Sequence, residues 1–295
     1  MPHNHIEHGQ SFADYRKAPG LNKSSIDKIL RAPAEYYELT LLPEQDPTPA
    51  MRFGTALHSL VLEPERFTES VCVLSRPATT KEGKAQKKEA EEAGKVCIST
   101  EEYERMFRMR GHMLRHPRIR PLLPHVECAL TNGLTSLPGH SEVSVYWEME
   151  TEGSVIECKA RIDRLCTLPS GDVIAVDLKT TSGGLDKDSI AKHVATYGYH
   201  RQCAWYSEGL QRCGLNVSAF VFVFTSAQPP YLCVPVMLDA RAEMLGLEEC
   251  KLAASAYAQG IATDDWPGYS DEVYKLDMPE WAYHRSPAKL PTMWD

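Results

Sequence analysis

The run Val173-Ile174-Ala175-Val176-Asp177-Leu178-Lys179 decides how this chain is read. Four apolar residues lead into an acid and a base two positions apart, the pattern of a buried strand that carries charge at its end. Just upstream, Leu168-Pro169-Ser170-Gly171-Asp172 has the composition of a turn. A hairpin centred on Ser170 sets Asp163 directly opposite Asp177. Directly paired residues hold their Cβ atoms about 5 Å apart on one face, which suits two carboxylates sharing a divalent cation. Lys179 follows Asp177 by two and therefore points to the same face. Two acids and a lysine around one ion are the parts of a site that cleaves phosphodiesters.

Working outward, Glu142 to Glu148 alternates polar residues with Val143, Val145 and Trp147, as a half-buried strand does. A turn centred between Glu152 and Gly153 returns the chain along Val155–Leu165 and places Glu142 opposite Asp163. Glu142, Asp163 and Asp177 then form a row across three neighbouring strands. With unbulged turns, Lys159, Arg161 and Lys179 share that face, while Val143, Val145, Ile162, Ile174, Val176 and Leu178 cover the other.

Residues 1–20 read as a polar lead-in, and Ser24 or Ser25 caps a short helix through about Arg31, limited by Pro33. After a connection containing Pro43, Pro47 and Pro49, residues 52–62 read as a buried helix. Residues 79–95 are a charged helix or loop. Ser99-Thr100-Glu101-Glu102 is a capping-box signal for a helix to about His116. Beyond Gly183-Gly184 a helix is expected from Asp188 to Leu210, with Gln202 and Tyr206 as i, i+4 neighbours on one face. Strands at 219–225 and 231–238, a helix at 239–259 and an aromatic, Pro-rich tail from Asp264 complete the reading. With no internal repeat, one α/β domain over 1–295 is expected. Its core spans about 50–260, with a helical N-terminal lead-in and a C-terminal tail that wraps the surface or joins subunits.

Composition narrows the classes. Of 295 residues 43% are hydrophobic, enough for a sizeable core. No apolar run is long enough to span a membrane, and Met1-Pro2-His3-Asn4-His5 lacks the features of a secretory signal. Nine scattered cysteines without a Cys-x-x-Cys pair fit reduced thiols in a cytoplasm. A net charge of −8 argues against a protein that coats nucleic acid. It leaves room for a local basic strip, with Arg105 and Arg108 on one candidate strip. The lysines of 81–88, interleaved with glutamates, read as a solvated helix face.

Four pieces, in order, resemble a known family: Phe53-Gly54-Thr55-Ala56-Leu57-His58, Arg161-Ile162-Asp163, Asp177-Leu178-Lys179-Thr180-Thr181 and Tyr197-Gly198-Tyr199-His200-Arg201-Gln202-Cys203-Ala204-Trp205-Tyr206. Together they look like the PD-(D/E)XK nuclease superfamily, and within it the RecB-type and especially the RecE-type (exodeoxyribonuclease VIII-like) exonucleases. The resemblance implies an α/β restriction-endonuclease-like core of order αβββαβ, a central mixed sheet flanked by helices. It makes Asp163 and Asp177 metal-binding carboxylates, with the Leu178 carbonyl, His58 and Glu142 as further ligands or neighbours. Lys179 becomes the lysine that orients or deprotonates the attacking water and steadies the phosphate, and Gln202 and Tyr206 the Gln-x-x-x-Tyr pair lining the cleft. Arg161, Lys159, Arg105 and Arg108 are candidate DNA contacts. One or two Mg²⁺ or Mn²⁺ ions are implied. No iron–sulfur clasp is expected, because Cys250 is the last cysteine and stands alone.

The chemistry agrees with that assignment. A phosphodiester repels anionic nucleophiles and has a poor leaving group, so hard oxygen ligands holding Mg²⁺ or Mn²⁺ and a nearby ammonium suit it. The implied activity is 5′→3′ digestion of linear double-stranded DNA to 5′-mononucleotides, leaving 3′ single-stranded tails for recombination. Its partners would be DNA ends, a single-strand annealing protein and copies of itself in a ring, a trimer or tetramer. A bacterial or phage-encoded cytoplasmic protein is implied. The competing readings are a single-strand or structure-specific RecB-type nuclease and a catalytically silent DNA-binding scaffold.

Overall fold

The computed structural model describes residues 4–42, 46–124 and 136–283. In chain order these residues form β1 (His5–Glu7), α1 (Phe12–Lys17), α2 (Lys23–Arg31), α3 (Pro33–Leu41), α4 (Pro49–Leu62), α5 (Phe67–Ser70), β2 (Val71–Leu74), α6 (Lys81–Glu92), β3 (Val96–Ser99) and α7 (Thr100–Arg115). Then follow β4 (Gly139–Thr151), β5 (Ser154–Thr167), β6 (Val173–Thr181), α8 (Lys187–Tyr197), α9 (Tyr199–Arg212), β7 (Val217–Ser226), β8 (Cys233–Val236), α10 (Ala240–Thr263) and α11 (Glu280–Tyr283). Six strands make one mixed sheet in the order β1-β4-β5-β6-β7-β8. Only the β6–β7 pair is parallel; its crossover runs through α8 and α9. A separate parallel pair, β2–β3, sits beside α4 and α7. This is the mixed α/β core with flanking helices that the sequence predicts.

The sheet buries both faces. Against one lie Ile26 and Ile29 of α2, Trp205 and Leu210 of α9, and Ala253 and Ala254 of α10. Against the other lie Phe53, Leu57 and Val61 of α4 and Met106, Met109 and Met113 of α7. Burying each such aliphatic or aromatic side chain contributes roughly 1.5–3 kcal/mol, and the two-sided cover explains why β6 reads as a continuous apolar run. On the first face α9 is held close to β4 because position 209 is glycine. A Cβ there would lie 2.5 Å from the Trp147 ring, which packs 4.9 Å from Trp205.

The predicted hairpin register holds: Arg164 pairs with Val176, Leu165 with Ala175, Cys166 with Ile174 and Thr167 with Val173. The β4–β5 register holds on both sides of Glu142, with Val143 opposite Ile162 and Ser141 opposite Arg164. Glu142 itself drops out of the ladder and takes a left-handed backbone, φ 54°. The expected distribution of faces fails there. Val143, Val145 and Ile162 belong to the core under α9 and α10. Val176 and Leu178, expected on the same face, belong to the core against α4 and α7. Ile162 and Leu165 share one core although they are three apart, so the side-chain alternation of β5 slips once between them.

Other differences are local. The lead-in folds: β1 pairs with the edge of β4, and α1 is capped by Ser11. The cap of α2 is Asn22, accepting from the Ser25 N–H, rather than Ser24 or Ser25. The helix expected over 188–210 is two helices, divided at Gly198 in the left-handed region, φ 63°. Residues 81–92 are helical, and Lys87–Glu91 and Lys88–Glu92 pair along its solvated face. The tail turns Trp266 onto Tyr36 and Tyr37 of α3, with centroids 5.6 and 5.4 Å apart. Pro43 and residues 284–295 lie outside the described residues. No helix among those described is long and apolar enough to cross a membrane, and their eight cysteines are all free.

Candidate active site

The site lies where β5 and β6 part. Their ladder stops at Arg164–Val176, one pair short of Asp163 and Asp177. Beyond that point the Leu178 N–H donates instead to Asp163 Oδ2, 2.8 Å away. A carboxylate thus replaces a backbone acceptor, and the strands part beside the two acids.

Asp177 is almost fully buried, with its side chain 2% exposed. An isolated carboxylate there would be very costly, and two partners offset the cost. The Lys179 ammonium lies 2.6 Å from Asp177 Oδ1. The Gln202 amide joins the pair: its NH₂ donates to Asp177 Oδ2 and its Oε1 accepts from Lys179 Nζ at 2.9 Å. Beneath the ammonium lies the Tyr199 ring, centroid 4.5 Å away. Burial alone would lower the pKa of Lys179, but Asp177, Asp163 and Tyr199 together raise it above the ordinary lysine value. Without a cation beside it, Lys179 is therefore held as an ammonium by Asp177 and Gln202.

A second cluster adjoins the first. One donor atom each of His58, Glu142 and Asp163 lies within 4.8 Å of the others. His58 Nε2 is 3.0 Å from the Leu178 carbonyl, which can only accept, so that nitrogen carries the proton. In the neutral ring Nδ1 is then a bare lone pair, and it faces Asp163 Oδ2 at 3.5 Å. Two acceptors face each other, and a proton or a cation between them satisfies both. Burial pushes the Asp163 carboxyl up to about 7, helped by the negative charges of Asp177 and Glu142. One imidazole and two carboxylates fit a divalent cation.

Glu142 is held in place from behind. Arg161 Nε donates to Glu142 Oε2 at 2.7 Å, while its other nitrogens donate to Ser144 Oγ and the Gln10 carbonyl, both at 3.1 Å. A left-handed glutamate costs about 1–3 kcal/mol, and this clamp, together with the ladder pairs on either side, holds it there.

The sequence-predicted residues thus divide. Asp163, His58 and Glu142 come together as one donor set, with the Leu178 carbonyl turned to His58. Asp177, Lys179 and Gln202 form the adjoining network, in which Lys179 and Gln202 hold the Asp177 carboxylate beside that donor set. Tyr206 packs on Phe220, centroids 6.2 Å apart, and burial raises its hydroxyl pKa well above the usual value. Lys159 is corrected: it is 4% exposed and its ammonium is bonded to the carbonyls of Tyr15, Arg16 and Ala18, so it is no DNA contact. Arg161 is likewise turned inward, toward Glu142 and the N-terminal segment. Arg105 lies 4.1 Å over the Phe53 ring, while Arg108 is exposed on α7. Spacing arguments picked out Gln202 and Tyr206 and passed over Tyr199. Its position three residues before Gln202, hence on the same helix face, was the available signal.

Comparison with known proteins agrees with the fold. A family model described as a PDDEXK-like domain of unknown function (DUF3799) matches residues 23–278. A search of curated proteins finds no match. Among solved structures, a "Putative exonuclease" from Eubacterium rectale aligns over 95% of this chain and 100% of its own, with a TM-score of 0.58 and 14% identity. A structure named SSO0001 aligns over 79% of this chain and 84% of its own, with a TM-score of 0.30 and 12% identity, too low to carry an argument. The identity to the first is low enough that it speaks for the fold alone.

Proposed function

The chain belongs to this PDDEXK-like domain family, and on that premise we propose that it is a divalent-metal-dependent exonuclease of linear double-stranded DNA. The observation that carries the reading is the opening of β5 from β6, with Asp163 on one strand and Asp177 and Lys179 on the other. His58, Glu142 and Asp163 would hold the cation, Mg²⁺ or Mn²⁺. When bound, it supplies Lewis acidity to a phosphodiester oxygen and acidifies water. Lys179, kept protonated, donates to a phosphate oxygen and offsets charge as it builds there. Gln202 fixes the ammonium and the Asp177 carboxylate relative to each other, so neither must reorganise during the reaction. Arg161 keeps Glu142 aimed at the donor set.

The finer reading follows the RecE-type resemblance: 5′→3′ digestion, release of 5′-mononucleotides, and 3′ tails passed to a single-strand annealing protein. A ring of several copies around DNA reconciles a net charge of −8 with substrate capture, the basic groups facing the channel and the acidic ones outside.

The deciding experiment incubates end-labelled linear duplex, closed circular duplex and single strands with the protein, with Mg²⁺ or with EDTA. The reading expects a shortened linear duplex with early loss of the 5′ label, an untouched circle and no reaction in EDTA. A nicked circle would overturn the end-dependent reading, and faster digestion of single strands would favour the RecB-type alternative.

A further inference from the structure

One aromatic residue next to the Tyr199 ring has no part in the chemistry above. Tyr197, the last residue of α8, is 53% exposed. It closes a chain of rings that begins at the site. The Lys179 ammonium lies 4.5 Å from the Tyr199 centroid, and the Tyr199 ring is followed at 5.9 Å by that of Tyr197, inclined by 20°. Tyr199 is itself supported from below, stacked on Phe222 at 5.7 Å. His193 braces both tyrosines with its edge, at 4.4 Å from Tyr197 and 72° to it, and at 5.7 Å from Tyr199 and 81° to it.

The backbone that carries Tyr197 is fixed as well. Its carbonyl accepts from Lys23 Nζ at 2.7 Å, and Gly198 turns the chain immediately after it. The ring is thus both oriented in advance and open to solvent, two properties that a core tyrosine does not combine. One ammonium-to-ring step of 4.5 Å and one ring-to-ring step of 5.9 Å lead from Lys179 to Tyr197.

We propose that Tyr197 is a base-stacking shelf: it receives an unpaired nucleobase of the strand whose phosphate sits at Lys179. This deepens the nuclease reading and rests on it for the position of the phosphate. Stacking is sequence-tolerant because every base has a π-face, as an end-digesting enzyme requires. A terminal base pair frays more readily than an internal one. A shelf that holds the frayed base stabilises the opened end and keeps its phosphate at the ammonium.

The test uses the full chain and a duplex whose terminal 5′ base is 2-aminopurine, bound in Ca²⁺ and then digested in Mg²⁺. Wild type and Tyr197→Phe are expected to quench the base's fluorescence on binding, and Tyr197→Ala and Tyr197→Leu to leave it bright. In Mg²⁺ the Ala and Leu variants are expected to raise KM about tenfold, within the range of one lost stack, with kcat nearly unchanged and Tyr197→Phe restoring wild-type values. Unchanged melting of the variants guards against a folding defect. If wild type digests DNA and Tyr197→Ala matches it in both quenching and KM, the shelf is refuted and the nuclease reading stands. If Tyr197→Phe fails like Ala, the hydroxyl acts and stacking is refuted. If quenching depends on Tyr197 but no digestion occurs in Mg²⁺, Tyr197 stacks a base as proposed and the nuclease reading falls, taking with it the phosphate's place at Lys179.

Discussion

At the residue scale the site rests on two uneasy acids treated differently. Asp177 is neutralised within the protein by Lys179 and Gln202, whereas Asp163 is left for an ion. Lys179→Ala is expected to cost about 10²- to 10³-fold in kcat while DNA binding in Ca²⁺ changes little, because affinity for a duplex is spread over many phosphate contacts. Undiminished kcat would remove the ammonium from the chemistry. Asp163 carries a second expectation. Its folded-state pKa of about 7 stands above the ordinary carboxylate value through burial and neighbouring charge. Between that ordinary value and about 7 the folded state therefore binds more protons than the unfolded one, so its contribution favours folding below that window and is lost as pH rises through 7. Metal-free protein should melt at a higher temperature at pH 5.5 than at pH 8, and Mn²⁺ should recover much of the loss at pH 8. Asp163→Asn should flatten the pH dependence. A slope unchanged in that variant would assign the effect to another group.

At the element scale the sequence shows β5 and β6 clearly, because a two-residue side-chain period and a Pro-Ser-Gly turn leave one register that buries the apolar residues. It shows the capping box of α7 for the same reason, since Ser99 and Glu102 satisfy each other's backbone at a fixed spacing. What it hides are interruptions that leave no compositional mark. Glu142 is an ordinary strand residue until its backbone turns left-handed, and that turn changes which face Val143 covers. Gly198 sits in a periodic helical run and does not announce that α8 ends and α9 begins there. Its φ of 63° suits glycine, and an added Cβ would strike the Arg201 guanidinium, which is ion-paired to Asp27 and Glu249. Gly198→Ala should therefore destabilise by about 1–2 kcal/mol, read as a lowered midpoint in urea. It should also reduce activity at temperatures where the fold persists, because α9 carries Gln202 and Tyr199. A variant as stable and as active as wild type would show that the hinge angle is not glycine's doing.

At the scale of the whole molecule the first residues are part of the site, although their polar composition reads as a lead-in. Three residues of β1 are too few for a periodicity argument, and the carbonyls that receive Lys159 and Arg161 have no signature in sequence at all. Deleting residues 1–18 should remove the three carbonyls that bind the Lys159 ammonium and the Gln10 carbonyl that backs Arg161. Affinity for Mn²⁺, measured by calorimetry, should fall, because Arg161 then holds Glu142 less firmly. Unchanged affinity would deny the segment any role beyond packing.

The family match begins at residue 23, just after that segment. A cloning boundary drawn at the match would remove the Gln10 carbonyl that backs Arg161, and through it the hold on Glu142. On the proposed function, an assay of such a truncated product would score as inactive a chain that keeps every reacting group.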